Sequence, residues 1–140
     1  MTPTVAVIAP GNMGAAVAKR LSEYKVTVLT SLAGRSEASA KRARDAGMQG
    51  VDDRQLAKAD YLMSIVPPGD ALALAKRLSG VLTAANKKPI YVECNAVSPQ
   101  TMNQIAEVIA ATGCAFVGAG ITGGELPYLK AFPRSGTLLK

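Results

Sequence analysis

Short apolar runs alternate along this chain with segments in which apolar residues recur every three or four positions. The runs predict strands that are covered on both faces, and the recurrent spacing predicts amphipathic helices. The predicted strands are residues 4–9, 25–30, 49–51, 61–66, 89–94 and 115–117. Because parallel strands need helical crossovers, we expect an α/β fold of the Rossmann type. The expected architecture is a doubly wound, mostly parallel six-stranded sheet with helices on both faces.

Polar residues and glycine mark the ends of the predicted helices. Ser36 is placed as the N-cap of a helix over 36–46, and Gly47 as its C-terminal stop. Asp70 is expected to cap the helix that follows the fourth strand, and Ser98 with Pro99 to open the next one. Stripes of apolar residues predict the buried helix faces: Met13, Val17 and Leu21; Leu74, Leu78 and Leu82; Met102, Ile105 and Ile109.

The alternation ends near residue 124, which suggests a domain boundary. Residues 1–124 are predicted to form one domain. Pro127 and Pro133 argue against a regular element in 125–140. We expect that stretch to be an irregular tail that begins a link to a further, helical domain.

Composition narrows the class of protein. The chain has 140 residues, of which 49% are hydrophobic and 19% charged, and this balance does not fit a disordered segment. No apolar run approaches the ~18 residues that a membrane span needs, and the N-terminus lacks the features of a signal peptide. From the sequence we expect a cytoplasmic protein with no membrane partner.

The cysteines and the absence of histidine restrict the chemistry. Cys94 and Cys114 lie in apolar runs and are expected to be small buried residues rather than metal ligands. The chain has no His, so an imidazole base and a His-dependent catalytic triad are excluded for this chain alone. No metal site is predicted.

The net charge of +6 raises the question of a nucleic-acid partner. Lys and Arg occur mostly in ones and twos among Ala and acidic residues, a pattern typical of solvated helix faces. Aromatic residues make up only 4%, too few for a stacking platform. No nucleic-acid partner is expected, and part of the charge would suit a phosphorylated small ligand.

A glycine turn joins the first strand to the first helix, with Gly11 and Gly14 in the sequence 9-APGNMG-14. A helix N-terminus after such a turn presents free N–H groups and partial positive charge to a pyrophosphate. Gly11 allows the backbone to approach the phosphates, and Gly14 allows the helix to pack closely on the strand. Ala9 replaces the first glycine of the usual dinucleotide-binding fingerprint.

The end of the second strand indicates which dinucleotide is preferred. Selectivity for NAD calls for an acidic residue there, which would accept hydrogen bonds from the ribose 2′-hydroxyl. Here the chain has Arg35 and Ser36, with no acid before Glu37. A guanidinium is suited to the 2′-phosphate, so we expect NADP(H) to be preferred over NAD(H).

Five segments together resemble the superfamily of 6-phosphogluconate dehydrogenase and 3-hydroxyisobutyrate dehydrogenase (the β-hydroxyacid dehydrogenases). They are VAVIAPGNMGAAVAKRL, GRS, ADYLMSIVPP, YVECNAVSPQT and GITGG, in the same order and spacing over residues 5–125. The chain is most similar to that superfamily's divergent 6-phosphogluconate dehydrogenase-like branch. Imine reductases share this architecture and remain an alternative.

The resemblance implies roles for particular residues. It places the phosphate loop at Gly11, Asn12, Met13 and Gly14, and the 2′-phosphate contacts at Arg35 and Ser36. It also implies that Val66 and Pro67 line the cofactor and that Asn95 lies near the nicotinamide ribose. The substrate-binding segment of the family corresponds to Thr122, Gly123 and Gly124, with Thr in place of Ser. By chain order, the sequence also places Gly118 just past the sixth strand, at the same edge of the sheet.

The resemblance also implies an oxidoreductase activity, but this chain has no residue that matches the catalytic Lys of the family. Members carry a catalytic Lys in a helix after the Rossmann domain, but here Lys130 and Lys140 lie in the predicted irregular tail. We therefore expect the NADP-binding domain of an oxidoreductase that transfers hydride to or from a small hydroxy acid, carbonyl or imine. We expect little turnover by the chain alone, and self-association through the face that a helical domain would cover. The alternative is a non-catalytic NADP-binding or protein-interaction module.

Overall fold

The computed structural model describes residues 3–8, 12–32, 36–121 and 129–132, and the fold is given for these residues. The strands are β1 (Thr4–Ile8), β2 (Thr27–Thr30), β3 (Met48–Gly50), β4 (Tyr61–Ser64), β5 (Ile90–Glu93), β6 (Phe116–Ile121) and β7 (Leu129–Phe132). The helices are α1 (Asn12–Glu23), α2 (Glu37–Asp45), α3 (Asp53–Leu56), α4 (Ala71–Ala84) and α5 (Pro99–Ala110), with a 3₁₀ turn at Pro68–Asp70.

Within the described residues these strands form one sheet in the order β3-β2-β1-β4-β5-β6-β7. The first six strands are parallel, as the sequence predicted, and β7 pairs antiparallel with β6. The order reverses between β1 and β4, which makes this the switch point where doubly wound sheets open a crevice.

Two apolar cores cover the two faces of the sheet, because alternate residues of each strand point to opposite sides. On one face, Leu62 and Tyr91 pack with Leu78 of α4 and Ile105 of α5. On the other face, Val7, Met63 and Val92 pack with Val17 of α1 and Ala43 of α2. Helices therefore cover both faces, which confirms the doubly wound class.

The predicted helix ends are confirmed at two of the three N-caps. The hydroxyls of Ser36 and Ser98 accept hydrogen bonds from Ser39 N at 3.1 Å and Thr101 N at 3.2 Å. Gly47 ends α2 at φ +88°, a conformation that favours glycine. The side chain of Asp70 makes no cap bond to α4, because Pro68–Asp70 already form a 3₁₀ turn and Asp70 itself has φ −100° and ψ −6°.

Two expectations about the end of the chain were wrong. Leu129–Phe132 form β7 between the two prolines, where the sequence predicted an irregular tail. None of the four residues of β7 is a proline, so each keeps the backbone N–H group that a strand can use in its ladder. The sixth strand also continues to Ile121, so Gly118 pairs with Glu93 inside the sheet and does not follow the strand.

Candidate functional site

The carboxyl ends of the parallel strands meet at one edge of the sheet, and the predicted cofactor residues follow these strands. Val66 and Pro67 come just after β4, and Asn95 comes two residues after β5. Val66 and Asn95 are half-buried, and Pro67 is exposed. Ligands of doubly wound sheets bind beyond this edge at the switch point.

The helix that follows β1, one of the two strands at the switch point, is α1, which starts at Asn12 after β1 ends at Ile8. Gly14 is buried in its first turn. That turn holds no acidic residue, so no carboxylate opposes the positive end of the helix dipole. Of the predicted phosphate loop, Gly11 lies outside the described residues, and Asn12 and Met13 are described by their backbone alone.

Ser36 stands where the 2′-phosphate contact is predicted. It is exposed, and its Oγ accepts the hydrogen bond from Ser39 N that caps α2. A hydroxyl that accepts in this way still has a proton to donate, so the cap is compatible with a phosphate contact. Arg35, the predicted guanidinium for the 2′-phosphate, lies outside the described residues.

The Asn95 side chain is held by the protein itself. Its Oδ1 accepts a hydrogen bond from Val66 N at 3.0 Å. Its Nδ2 donates to Ser64 Oγ at 3.1 Å and to Glu93 Oε2. The amide therefore has one lone pair on Oδ1 left for a ligand, and its structural effect is to tie the end of β5 to the residues after β4.

No role for Glu93 or Ser64 was predicted, although the structure places both beside Asn95. Both are 0% exposed. Glu93 Oε1 and Tyr91 Oη make no hydrogen bond of standard geometry among the described residues. Burial, the largest effect, raises the pKa of the Glu93 carboxyl and that of the Tyr91 hydroxyl, although the Ser64 hydroxyl lies close enough to oppose part of the rise in both pKa values. The available signal was a carboxylate in an otherwise apolar strand, a residue type that is seldom fully buried.

A second polar cluster lies at the same edge, beyond β2 and β3. The Arg77 guanidinium of α4 donates to Asp53 through Nη2 at 2.7 Å and Nε at 3.2 Å, and to Ser31 Oγ at 3.1 Å. The hydrogen bonds to Asp53 raise the pKa of Arg77, which stays charged. The Arg77 side chain is 45% exposed, so this cluster is charged and open to water.

The remaining predicted features are these. Cys94 and Cys114 are buried free thiols, as expected, and burial raises the pKa of Cys94 to about 12, which favours the protonated thiol. Thr122, Gly123 and Gly124 lie outside the described residues.

In the described part of the chain, no group of three or more His, Cys, Asp or Glu side chains is placed to hold a metal ion, and no helix is long and apolar enough to cross a membrane. An open groove beside Asp60 and Lys87 lies at the opposite, amino edge of the sheet.

The chain matches the family model described as the NAD binding domain of 6-phosphogluconate dehydrogenase over residues 4–132. Among curated proteins it is 28% identical over 127 residues to 3-hydroxyisobutyrate dehydrogenase of Pseudomonas aeruginosa, covering 86% of this chain and 41% of that protein. It is also 36% identical over 110 residues to an uncharacterized 28.5 kDa protein of Methanothermus fervidus, covering 73% of this chain and 42% of that protein. The chain thus spans about two-fifths of the length of these relatives.

Solved structures show the same fold. A conserved protein of unknown function, described as structurally similar to 3-hydroxyacid dehydrogenases, superposes with a TM-score of 0.76 at 32% identity, covering 86% of this chain and 44% of that one. An imine reductase from Myxococcus stipitatus in complex with NADP⁺ has a TM-score of 0.69 at 21% identity, over 84% and 40% of the two chains. A variant of that enzyme in complex with NAD⁺ gives 0.71 at 19%, over 86% and 41%. On the family match, the chain belongs to the NAD-binding-domain family of 6-phosphogluconate dehydrogenase, within the superfamily that the sequence resembles.

Proposed function

We propose that this chain is the NADP-binding part of an oxidoreductase of the hydroxyacid dehydrogenase type. The observation that carries the proposal is the carboxyl edge at the switch point. There the order of the sheet reverses between β1 and β4, and α1, which follows β1, has no acidic residue in its first turn. A pyrophosphate would be stabilised by the free N–H groups of that helix end.

The preference for NADP(H) over NAD(H) is part of the proposal. It is supported by Arg35 and Ser36 at the end of β2, where an NAD-selective domain would carry an acid. The α2 cap by Ser36 keeps that hydroxyl at the helix start, beside Arg35 in the chain. Among structural neighbours, one imine reductase holds NADP⁺ and a variant of it holds NAD⁺, so the choice has to be measured on this chain.

Thermal unfolding with NADPH, with NADH and without ligand tests the proposal. A ligand that binds only the folded state stabilises it by roughly 2.7 kcal/mol at 100 times its Kd. We expect NADPH to raise Tm more than NADH does, and Arg35→Glu to remove that difference.

The matched control is Arg44→Glu, which makes the same charge change at an exposed position of α2. This variant should keep the preference for NADPH. If neither dinucleotide shifts the Tm of the wild-type chain, the dinucleotide-binding function is wrong and a protein-interaction module becomes the better hypothesis.

The reaction we propose for the whole enzyme is hydride transfer between NADP(H) and a small hydroxy acid, carbonyl or imine. The nicotinamide carries the hydride, while the protein supplies binding and orientation. Asn12, Met13, Val66, Pro67 and Asn95 are proposed cofactor contacts in addition to the glycines, and Thr122, Gly123 and Gly124 are proposed substrate contacts.

We further propose that the 140-residue chain alone turns over little or no substrate, because no residue in it matches the catalytic Lys of the family. Steady-state assays of the purified chain with NADP⁺ and a panel of small hydroxy acids test this. A kcat in the ordinary range of ~1–10³ s⁻¹ would contradict it.

Two further proposals concern partners and location. We propose that the chain self-associates through the face that a helical domain would cover in the whole enzyme, although among the described residues Tyr24 is the one large hydrophobic residue that is exposed. Sedimentation velocity over a range of concentrations tests this, and a monomer at the highest concentration would contradict it. A cytoplasmic location stays a prediction.

A further inference from the structure

We propose that Glu93 is a positioning residue for the nicotinamide half of the cofactor site: through Asn95 it fixes the backbone that follows β4. The inference rests on the proposed dinucleotide-binding function. The hydrogen bonds described above do not join Glu93 to Val66 or Pro67 directly. Its effect on them therefore passes through the Asn95 amide, which bonds to both Glu93 and Val66.

The first step is how the β4–β5 ladder ends. Cys94 N donates to Ser64 O at 3.1 Å, which continues the parallel ladder one residue beyond β5. The next donor along the ladder comes from the β4 side: Val66 N, which donates to the side-chain oxygen of Asn95. A side-chain amide thus takes the place of a backbone carbonyl and, with the bond from Ile65 N to Ile8 O, holds the backbone that leads into Val66 and Pro67.

The second step is what orients that amide. Glu93 Oε2 accepts from Asn95 Nδ2, and Ser64 Oγ accepts from the same nitrogen. A flipped amide would direct N–H groups at Val66 N, where two donors would face each other. The flipped amide would also turn its own oxygen toward Glu93 Oε2, an acceptor, so Val66 N and the Glu93 oxygen together select the orientation in which Oδ1 meets Val66 N.

The third step is that this arrangement costs stability. The carboxyl group is fully buried, and its Oε1 makes no hydrogen bond of standard geometry among the described residues. An unsatisfied buried oxygen is unfavourable, and an apolar side chain of similar shape often serves a core better. Burial raises the pKa of Glu93, and a neutral acid still offers a carbonyl oxygen to Asn95. Orientation of the amide gives this buried acid a role that core packing does not.

The fourth step is where the effect should be felt. Asn95 is the residue proposed to lie near the nicotinamide ribose, whereas the proposed 2′-phosphate contacts follow β2. β2 and β5 are three strand spacings apart in the sheet, about 14 Å at ~4.8 Å per spacing. Loss of the Glu93 oxygen should therefore weaken binding of the whole cofactor and spare a ligand that carries the adenine half alone.

The experiment compares Kd for NADPH with Kd for adenosine 2′,5′-bisphosphate in the wild-type chain, Glu93→Leu and Glu93→Gln. Leu removes both carboxyl oxygens, and Gln keeps an acceptor for Asn95 Nδ2. We expect about tenfold weaker NADPH binding by Glu93→Leu, which corresponds to the loss of about one positioned hydrogen bond. Binding of the bisphosphate should stay within about twofold, and Glu93→Gln should restore most of the NADPH affinity.

A matched control and a second variant keep the test decisive. Glu107→Leu makes the same change at an exposed position of α5 and should alter neither Kd. If Glu93→Leu does not fold, Ser64→Ala removes the other acceptor of Asn95 Nδ2, keeps Asn95 itself, and should show a selective loss of NADPH binding in the same direction. Equal losses for both ligands, unchanged NADPH binding, or failure of Gln to restore it would overturn the inference. A wild-type chain that binds neither ligand would overturn the proposed function, and the inference with it.

Discussion

The two polar clusters at the carboxyl edge of this sheet are built in opposite ways. Beyond β2 and β3, Arg77 and Asp53 form a charged pair whose side chains are 45% and 32% exposed. At the carboxyl ends of β4 and β5, Glu93 is fully buried and Asn95 half-buried, and burial disfavours the charged form of the acid. An exposed ion pair exchanges easily with water, whereas a buried network holds one geometry. The edge near β2 and β3 is therefore suited to carry charge, whereas the edge near β4 and β5 is suited to fix the position of the backbone.

Asn95→Ala should show the largest effect, because it breaks the buried cluster at its centre. The change leaves Val66 N, Ser64 and Glu93 without the Asn95 partner, and we expect a loss of about 1–3 kcal/mol in the free energy of unfolding. Urea denaturation measures this. Asn103→Ala, at an exposed position of α5, should cost less than about 0.5 kcal/mol. Equal costs for the two variants would mean that the cluster contributes no more than a surface position does.

Glu93→Gln should change how stability depends on pH. Burial raises the pKa of Glu93 in the folded state above its value in the unfolded chain, so the folded state holds its proton more tightly. The wild-type chain should therefore lose stability relative to Glu93→Gln as pH rises from about the ordinary glutamate pKa of ~4.3 through the raised value. Urea denaturation of both chains between pH 4 and 8 tests this. A difference that stays constant or runs in the opposite direction would contradict a raised pKa.

Arg77→Met should have the smallest effect, because the Arg77–Asp53 pair is exposed. We expect a loss of no more than about 1 kcal/mol, and the loss should shrink as salt is added. Thermal unfolding in low and high salt measures it. A loss as large as that of Asn95→Ala, unaffected by salt, would mean that the two clusters are not different in kind.

The fold could be predicted from the sequence because its signals are local. Buried strands appear as apolar runs, and helix starts such as Ser36 and Ser98 carry their own caps. The exceptions have local reasons as well. Asp70 does not cap α4 with its side chain because a 3₁₀ turn precedes the helix, and β7 is short enough to fit between two prolines.

The candidate site could be predicted only as a place. Chain order puts Val66, Pro67 and Asn95 at one edge, but the partners of Asn95 depend on the β4–β5 register, in which Ser64 lies opposite Glu93. Register is a property of the pairing and is not encoded in either strand alone. For that reason the sequence indicated Asn95 and missed Glu93, the buried acid two residues before it.

The most direct test of the central claim is a calorimetric titration of the 140-residue chain with NADPH, with circular dichroism showing that the chain is folded. We expect saturable binding at one site per chain, competed by adenosine 2′,5′-bisphosphate more strongly than by 5′-AMP. A folded chain that shows no saturable binding of NADPH at millimolar concentration would contradict the assignment of this edge as a dinucleotide site.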